Sequence, residues 1–351
     1  MISLIDIFKG AYASQISPEQ LYEAEQLDKI RISEGLVDEK SLEDLLCQMH
    51  GDVPPAEVVR EHEAQFYDAM RQNNFPLSLE KGNELLEVYL KANTPSSKLV
   101  TLLGTLGTTA SRLRRDEEAE SHFIDLLRYA EKALKATQIQ REIQNLEFEI
   151  VRAYSHLAQF AVHKNQHQEV IGYCGEMLNH VRALDNSGKD PFKLAEFRAY
   201  AYLQTAQARI ELYNLRNIHP SGLGQYKVIF INDATEPYNC LRMAEQYFNM
   251  ALRLSNNQNS RDRIENILFT ILNDQVMIGK KIDDAKGLPV NNKKYHADYE
   301  RMAELCWGLY NRRINSGLQT RRLRPILSVL VPITTDAKKK RLYDEMWRKI
   351  R

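Results

Sequence analysis

Cysteine is sparse in this 351-residue chain. Cys47, Cys174, Cys240 and Cys306 stand far apart and none forms a CxxC pair, so the sequence offers neither a zinc knuckle nor a disulfide framework. Reduced, partly buried thiols are expected. Long apolar runs are lacking too, and none approaches the roughly 20 residues needed to cross a bilayer. The start, Met1-Ile2-Ser3-Leu4-Ile5-Asp6-Ile7-Phe8, has neither a basic n-region nor a cleavable signal pattern, which makes the cytoplasm the expected location. No G-x-S-x-G, H-E-x-x-H, G-x-x-x-x-G-K-[ST] or G-x-G-x-x-G stretch occurs, and Ser221-Gly222-Leu223-Gly224 reads only as a flexible loop. The acid pairs Glu117-Glu118 and Asp283-Asp284 fall at helix starts or polar turns, where capping or solvated carboxylates are expected. The expectation is a chain without enzymatic activity or cofactor.

Histidine offers one spacing to weigh. His156, His163 and His167 stand at i, i+7 and i+11, but Lys164-Asn165-Gln166-His167 reads as a turn and no carboxylate or cysteine completes a ligand set. They are expected as surface or groove side chains, with His163 in a groove, and no metal is expected.

What is present is an ordinary folding composition, 43% apolar and 27% charged. The net charge is zero but unevenly spread. Residues 1–90 hold 18 acidic and 7 basic side chains, a net of −11, whereas residues 311–351 hold 12 basic and 3 acidic, a net of +9. Arg312-Arg313, Arg321-Arg322-x-Arg324 and Lys338-Lys339-Lys340-Arg341 suit four readings: phosphates of a nucleic acid, an anionic membrane surface, attraction to the acidic end of the same chain, or a solvated face. No helix-turn-helix or base-stacking motif accompanies them, so nucleic acid is an unfavoured partner.

Helical periodicity dominates. Ser17-Pro18-Glu19-Gln20 is a start signal for a helix to about residue 32, and a short helix is expected at 38–50. From Pro54-Pro55 onward, helices are expected at about 56–72, 77–92, 96–114, 117–134, 139–163, 168–184, 191–215, 237–255, 260–280, 293–314 and 336–350. Short polar breaks such as Asn73-Asn74-Phe75-Pro76, Arg115-Asp116 and Lys164-Asn165-Gln166 make neighbours antiparallel. No strand-helix alternation suggests a nucleotide-binding sheet. The fold class is all-α. Two stretches interrupt the rhythm: 216–236, with the strand-like Tyr226-Lys227-Val228-Ile229-Phe230-Ile231, and the apolar 325–333. They read either as a two-stranded patch or as two apolar loops packed separately.

Leu103, Leu106, Gly107, Ala110, Ala119 and Phe123 place small and large residues where two antiparallel helices must interlock. The segment 100–133 resembles the tetratricopeptide repeat, departing from it at Leu126, where that family prefers alanine. Ala244, Phe248 and Ala251 resemble a second helix B, with helix A around Tyr202–Ala206 displaced by the insertion. Leu157, Ala158 and Ala161, followed by Val170, Cys174 and Met177, form a fainter unit.

The resemblance implies a right-handed superhelical solenoid of helical hairpins over 56–314, with a small non-helical insertion at 216–236, an acidic helical segment at 1–55 and a basic one at 315–351. An irregular bundle of the same helices is the competing reading. In that family the helix A faces line a groove for protein segments, and the positions carried over are Thr101, Thr108, Ser111, Arg112, Arg152, Ser155, Gln159, His163, Tyr200, Leu203 and Gln207. The family's chaperone-tail clamp needs lysine and asparagine, which Gly104, Thr108 and Gln159 do not supply. The implied function is binding of a protein or peptide, as an adaptor, chaperone-like or regulatory module. The runner-up is a ligand- or peptide-responsive regulator whose basic C-terminal end contacts nucleic acid or another effector.

Overall fold

The computed structural model describes residues 54, 56–185, 187–288, 301 and 337–349. The helices expected at 17–32 and 38–50, the apolar run 325–333, Cys47, Cys306 and nearly all of 293–314 lie outside the described residues. Within them the chain is helical and contains no strand. The helices are α1 (Ala56–Arg71), α2 (Phe75–Lys91), α3 (Ser96–Arg112), α4 (Asp116–Ala136), α5 (Gln140–His163), α6 (His167–Ala183), α7 (Pro191–Leu212), α8 (Lys227–Leu254), α9 (Gln258–Lys286) and α10 (Ala337–Lys349). None of them is long and apolar enough to cross a membrane.

The helix starts of α7 and α2 carry side-chain caps. Asp190 accepts from the Phe192 and Lys193 N–H groups at 3.0 and 3.3 Å ahead of Pro191, and Asn74 accepts from Leu77 N–H at 3.3 Å. These bonds satisfy donors that the first helical turn leaves free. The ends of α1, α2, α3, α5 and α7 share one device. Asn73, Asn93, Arg114, Asn165 and Asn214 all take left-handed backbone with φ between 47 and 59°. The next residue's N–H in each case reaches back five residues to a carbonyl (Asn74 to Ala69, Thr94 to Tyr89, Arg115 to Ala110, Gln166 to Ala161, Leu215 to Ile210) at 2.9–3.1 Å. That is the Schellman closure, and asparagine tolerates its left-handed residue better than most non-glycine side chains do. Five repetitions reverse the chain abruptly and leave consecutive helices antiparallel.

Each helix from α1 to α8 packs on its successor, and α3 also meets α5, as α5 meets α7. The buried side chains form three clusters in series, one running through α1–α5, one through α5–α7 and one through α7–α9. The α3–α4 hairpin is the tightest. Leu106, Ala110, Ala119, Phe123 and Leu126 are fully buried, and a methyl group on Gly107 would stand 2.8–2.9 Å from three Phe123 ring atoms. Leu126, larger than the alanine of the repeat pattern, fits because Gly104 faces it: a Cβ there would lie 3.2 Å from the Leu126 Cδ1.

Gly107→Ala is therefore expected to lower stability by about 1 kcal/mol, overpacking outweighing the roughly 1 kcal/mol of helix propensity that alanine gains over glycine. Gly172→Ala in α6, where an added Cβ would meet nothing within 4 Å, is expected to raise stability by up to about 1 kcal/mol. Urea titrations of the two variants, followed by circular dichroism, read the opposite signs.

The strand-like run Tyr226–Ile231 proves helical. From Lys227 on it forms the first turns of α8, which begins ten residues before the Pro237 start expected from sequence and carries that proline inside the helix. Phe230, Ala234, Tyr238, Leu241, Ala244, Phe248 and Ala251 form a buried stripe at helical spacing, so packing overrides the weak helix preference of Val228 and Ile229, which are exposed. Neither the two-stranded patch nor a loop is found at 227–236. The break between helices shrinks to 213–226, which contains two short 3₁₀ turns, Pro220–Gly222 and Gly224–Tyr226. The Lys281 ammonium of α9 pins the start of this break, donating to the carbonyls of Leu215, Arg216 and Ile218 at 2.7, 2.6 and 2.9 Å. Burial pulls the Lys281 pKa below its ordinary value.

Candidate interaction groove

The floor of the candidate groove is the seam between α3 and α5. Without a Cβ, Gly104 leaves room for the Glu149 carboxylate, whose Oε2 would stand 2.8 Å from an added methyl. Glu149 accepts from Arg152 Nη1 at 2.9 and 2.8 Å through its two oxygens. Arg152 Nη2 in turn donates to the Thr108 hydroxyl at 3.2 Å, and that hydroxyl donates to the Gly104 carbonyl at 2.8 Å. Thr108 and Arg152, 44 residues apart in sequence, are thus brought into direct contact, but the guanidinium expected to meet a partner is engaged within the chain.

Beside this seam, toward the N-terminal ends of α3 and α5, lies a cavity of about 420 Å³. Its walls come from α1 (Glu63, Tyr67), α2 (Leu85, Tyr89), the first half of α3 (Ser97, Lys98, Val100, Thr101, Leu102) and the first half of α5 (Glu142, Asn145, Leu146, Glu149). The Tyr89 hydroxyl donates to Glu63 at 2.5 Å, Lys98 Nζ stands 3.4 Å from the same carboxylate, and its ammonium lies 5.8 Å from the Tyr89 ring centroid. Burial and then the Glu63 carboxylate push the Tyr89 phenol well above its usual range, so it stays a neutral donor. Glu142 accepts from the Thr137 hydroxyl at 2.7 Å, and Asn145 accepts from Lys189 at the rim.

The other expected groove positions spread over several environments. Thr101 is exposed and lines the cavity, its hydroxyl bonded to the Ser97 carbonyl at 3.2 Å. Ser111 is half-buried one turn beyond Thr108. Ser155 and Gln207 are half-buried, and Gln159 and His163 are exposed on α5. Arg112 turns away from Arg152 and lies over the Phe75 ring of α2, 5.1 Å from its centroid. Tyr200 is half-buried, edge-on to Phe248 at 5.1 Å, and burial raises its pKa.

Leu203 is a correction. At 7% exposure it belongs to the α7–α9 core, because it shares a helical stripe with Ala199, Ala206 and Ile210 and so cannot face an open groove. His156 is another: instead of a groove or surface position, it stacks on Phe123 with centroids 4.6 Å apart and planes 9° apart. Among the described residues no three His, Cys, Asp or Glu side chains stand together as a metal-binding group. Cys174 is a buried free thiol pushed up to about 12 by burial, and Cys240 is half-buried with its pKa raised by the same cause.

Sequence reasoning missed most of the cavity wall. Glu63, Tyr67, Tyr89, Lys98, Glu142, Asn145 and Glu149 were not anticipated. For Glu142, Asn145 and Glu149 a signal existed, since they continue the Arg152–Gln159 face of α5 toward its N-terminus at helical spacing. For Glu63, Tyr67 and Tyr89 none existed, because α1 and α2 carry none of the residues by which the repeat is resembled. No protein-family model matches the sequence, and a search of curated proteins finds no match.

Proposed function

We propose that the chain is a non-enzymatic interaction module, a divergent tetratricopeptide-like solenoid that holds a segment of a protein partner along the faces of α1, α3, α5 and α7. The observation that carries this reading is the cavity. It is lined by three alternate helices, α1, α3 and α5, together with Leu85 and Tyr89 of α2, and the alternate helices are those whose helix A faces would line a groove. The direct α3–α5 and α5–α7 contacts and the three buried clusters in series support a solenoid over an irregular bundle, since in a solenoid each unit touches only its neighbours. A right-handed superhelical sense follows from the family resemblance. Adaptor or regulatory work is the role such a groove would serve.

A random peptide library displayed on phage and selected on the full chain tests the reading. Peptides that bind the native protein and lose binding to Thr101→Trp, which places an indole over the cavity without touching the buried core, are the expected result. Selection that yields no peptide sensitive to Thr101→Trp overturns it.

A further inference from the structure

The cavity between α1, α2, α3 and α5 specifies the charge of what enters it. Its walls carry three carboxylates, Glu63, Glu142 and Glu149, against one ammonium, Lys98. Two of the carboxylates are already answered within the chain: Glu63 by Lys98 and the Tyr89 hydroxyl, Glu149 by Arg152. Glu142 is not. Its bond is to the neutral Thr137 hydroxyl, and no cation lies within ion-pair distance of it among the described residues. Lys189 is spent on Asn145.

The floor beneath these groups is aliphatic, made of Leu85, Val100, Leu102 and Leu146, and the Tyr67 ring at the mouth is half exposed. A long side chain with an apolar stem and a cationic head matches this arrangement. Its stem covers the leucines, its head reaches Glu142, and the tyrosine face adds a cation–π contact. The two neighbouring helices bias the encounter in the same direction, since α1 and α2 together carry seven acidic and four basic side chains, a net charge of −3.

Building on the groove reading above, we infer that the cavity takes an arginine or lysine side chain from a basic segment of the partner protein, with Glu142 as the residue that selects for positive charge. The occupant is a peptide rather than a free small cation, because Thr101, exposed on α3, lines the cavity and opens it to that helix's surface, along which a chain can lie.

Fluorescence anisotropy on the full chain tests this with two labelled probes: a decapeptide carrying three arginines spaced by alanine and serine, and the same peptide with citrulline, the neutral isostere, in place of each arginine. The arginine probe is expected to bind at least about tenfold more tightly than the citrulline probe, the effect of losing a charge-assisted hydrogen bond. Glu142→Gln is expected to weaken the arginine probe by about tenfold. Glu87→Gln, which removes the same charge from an exposed position on α2 outside the cavity, is expected to leave it within about twofold.

Equal binding of the two probes, no binding of the arginine probe, or equal loss in the Glu142 and Glu87 variants overturns the inference. The last outcome would assign the attraction to the general acidity of this end of the chain. Increased arginine-probe binding after Lys338, Lys340 and Arg341 are changed together to glutamate, with Glu142→Gln binding unchanged from native, also overturns it, by making the chain's own basic segment the occupant. The groove reading fails separately. A library that yields neutral or acidic peptides sensitive to Thr101→Trp preserves the groove and sinks the arginine selectivity.

Discussion

Phe123→Ala is expected to cost about 3–5 kcal/mol of folding stability, the upper range for emptying a buried aromatic site. The ring is fully buried and held on every side. One face meets Gly107 so closely that a methyl group could not be inserted, the His156 imidazole stacks on it at 4.6 Å, and Phe160 leans against it at 6.3 Å. Cavities of this kind collapse poorly, because Gly107 has no side chain to move inward and α3 and α4 are fixed by the Ala110 and Ala119 contacts on either side. Urea denaturation followed by far-UV circular dichroism checks the value, and a loss below about 1 kcal/mol would show that the α3–α4 interlock does not carry this part of the fold. Adding Gly107→Val to Phe123→Ala should recover part of the loss, although each change alone destabilises. That coupling belongs to residues sharing one space.

The same contact shows how much was legible in advance. Leu106, Gly107, Ala110, Ala119 and Phe123 name their own pairing, because a glycine and two alanines facing a phenylalanine leave few other ways to fill the space. Helix limits were legible for a similar reason: Asp190-Pro191 and Asn165 act within one turn of themselves. The stretch 227–236 was misread because Val228 and Ile229 favour extended backbone locally, while the decision lies with Phe230, Ala234, Tyr238 and Leu241, whose burial depends on α7 and α9. Leu203 is a groove position only by the repeat resemblance, and a shift of one position around a helix turns a residue by about 100°. The cavity was least legible. Glu63, Tyr89, Lys98 and Glu149 come to one cavity only after four chain reversals, and their spacing in sequence carries no period that would announce it.

Acid should act on this protein through the ring that lies against Phe123. The His156 Nδ1 atom is buried with no hydrogen-bond partner, and burial, reinforced by the Arg152 guanidinium, pulls the imidazole pKa down to about 4. In the unfolded chain the same group titrates near 6.5. As pH falls below about 6.5 the unfolded state takes up a proton that the folded state refuses until about 4, so stability is full above that window and declines within it. The limiting slope is about 1.4 kcal/mol per pH unit, which gives roughly 2 kcal/mol lost at pH 5 from this residue. His122, lowered chiefly by burial, bends the curve in the same direction, so the measurement must be a difference. His156→Phe keeps an aromatic ring stacked on Phe123 and removes the titration. Between pH 7 and pH 5 the native protein is expected to lose about 2 kcal/mol more than this variant does, read from urea midpoints at each pH. Parallel curves would mean that the imidazole takes up its proton in place, which a ring wedged between Phe123 and Phe160, beside a guanidinium already committed to Glu149 and Thr108, has no means to stabilise.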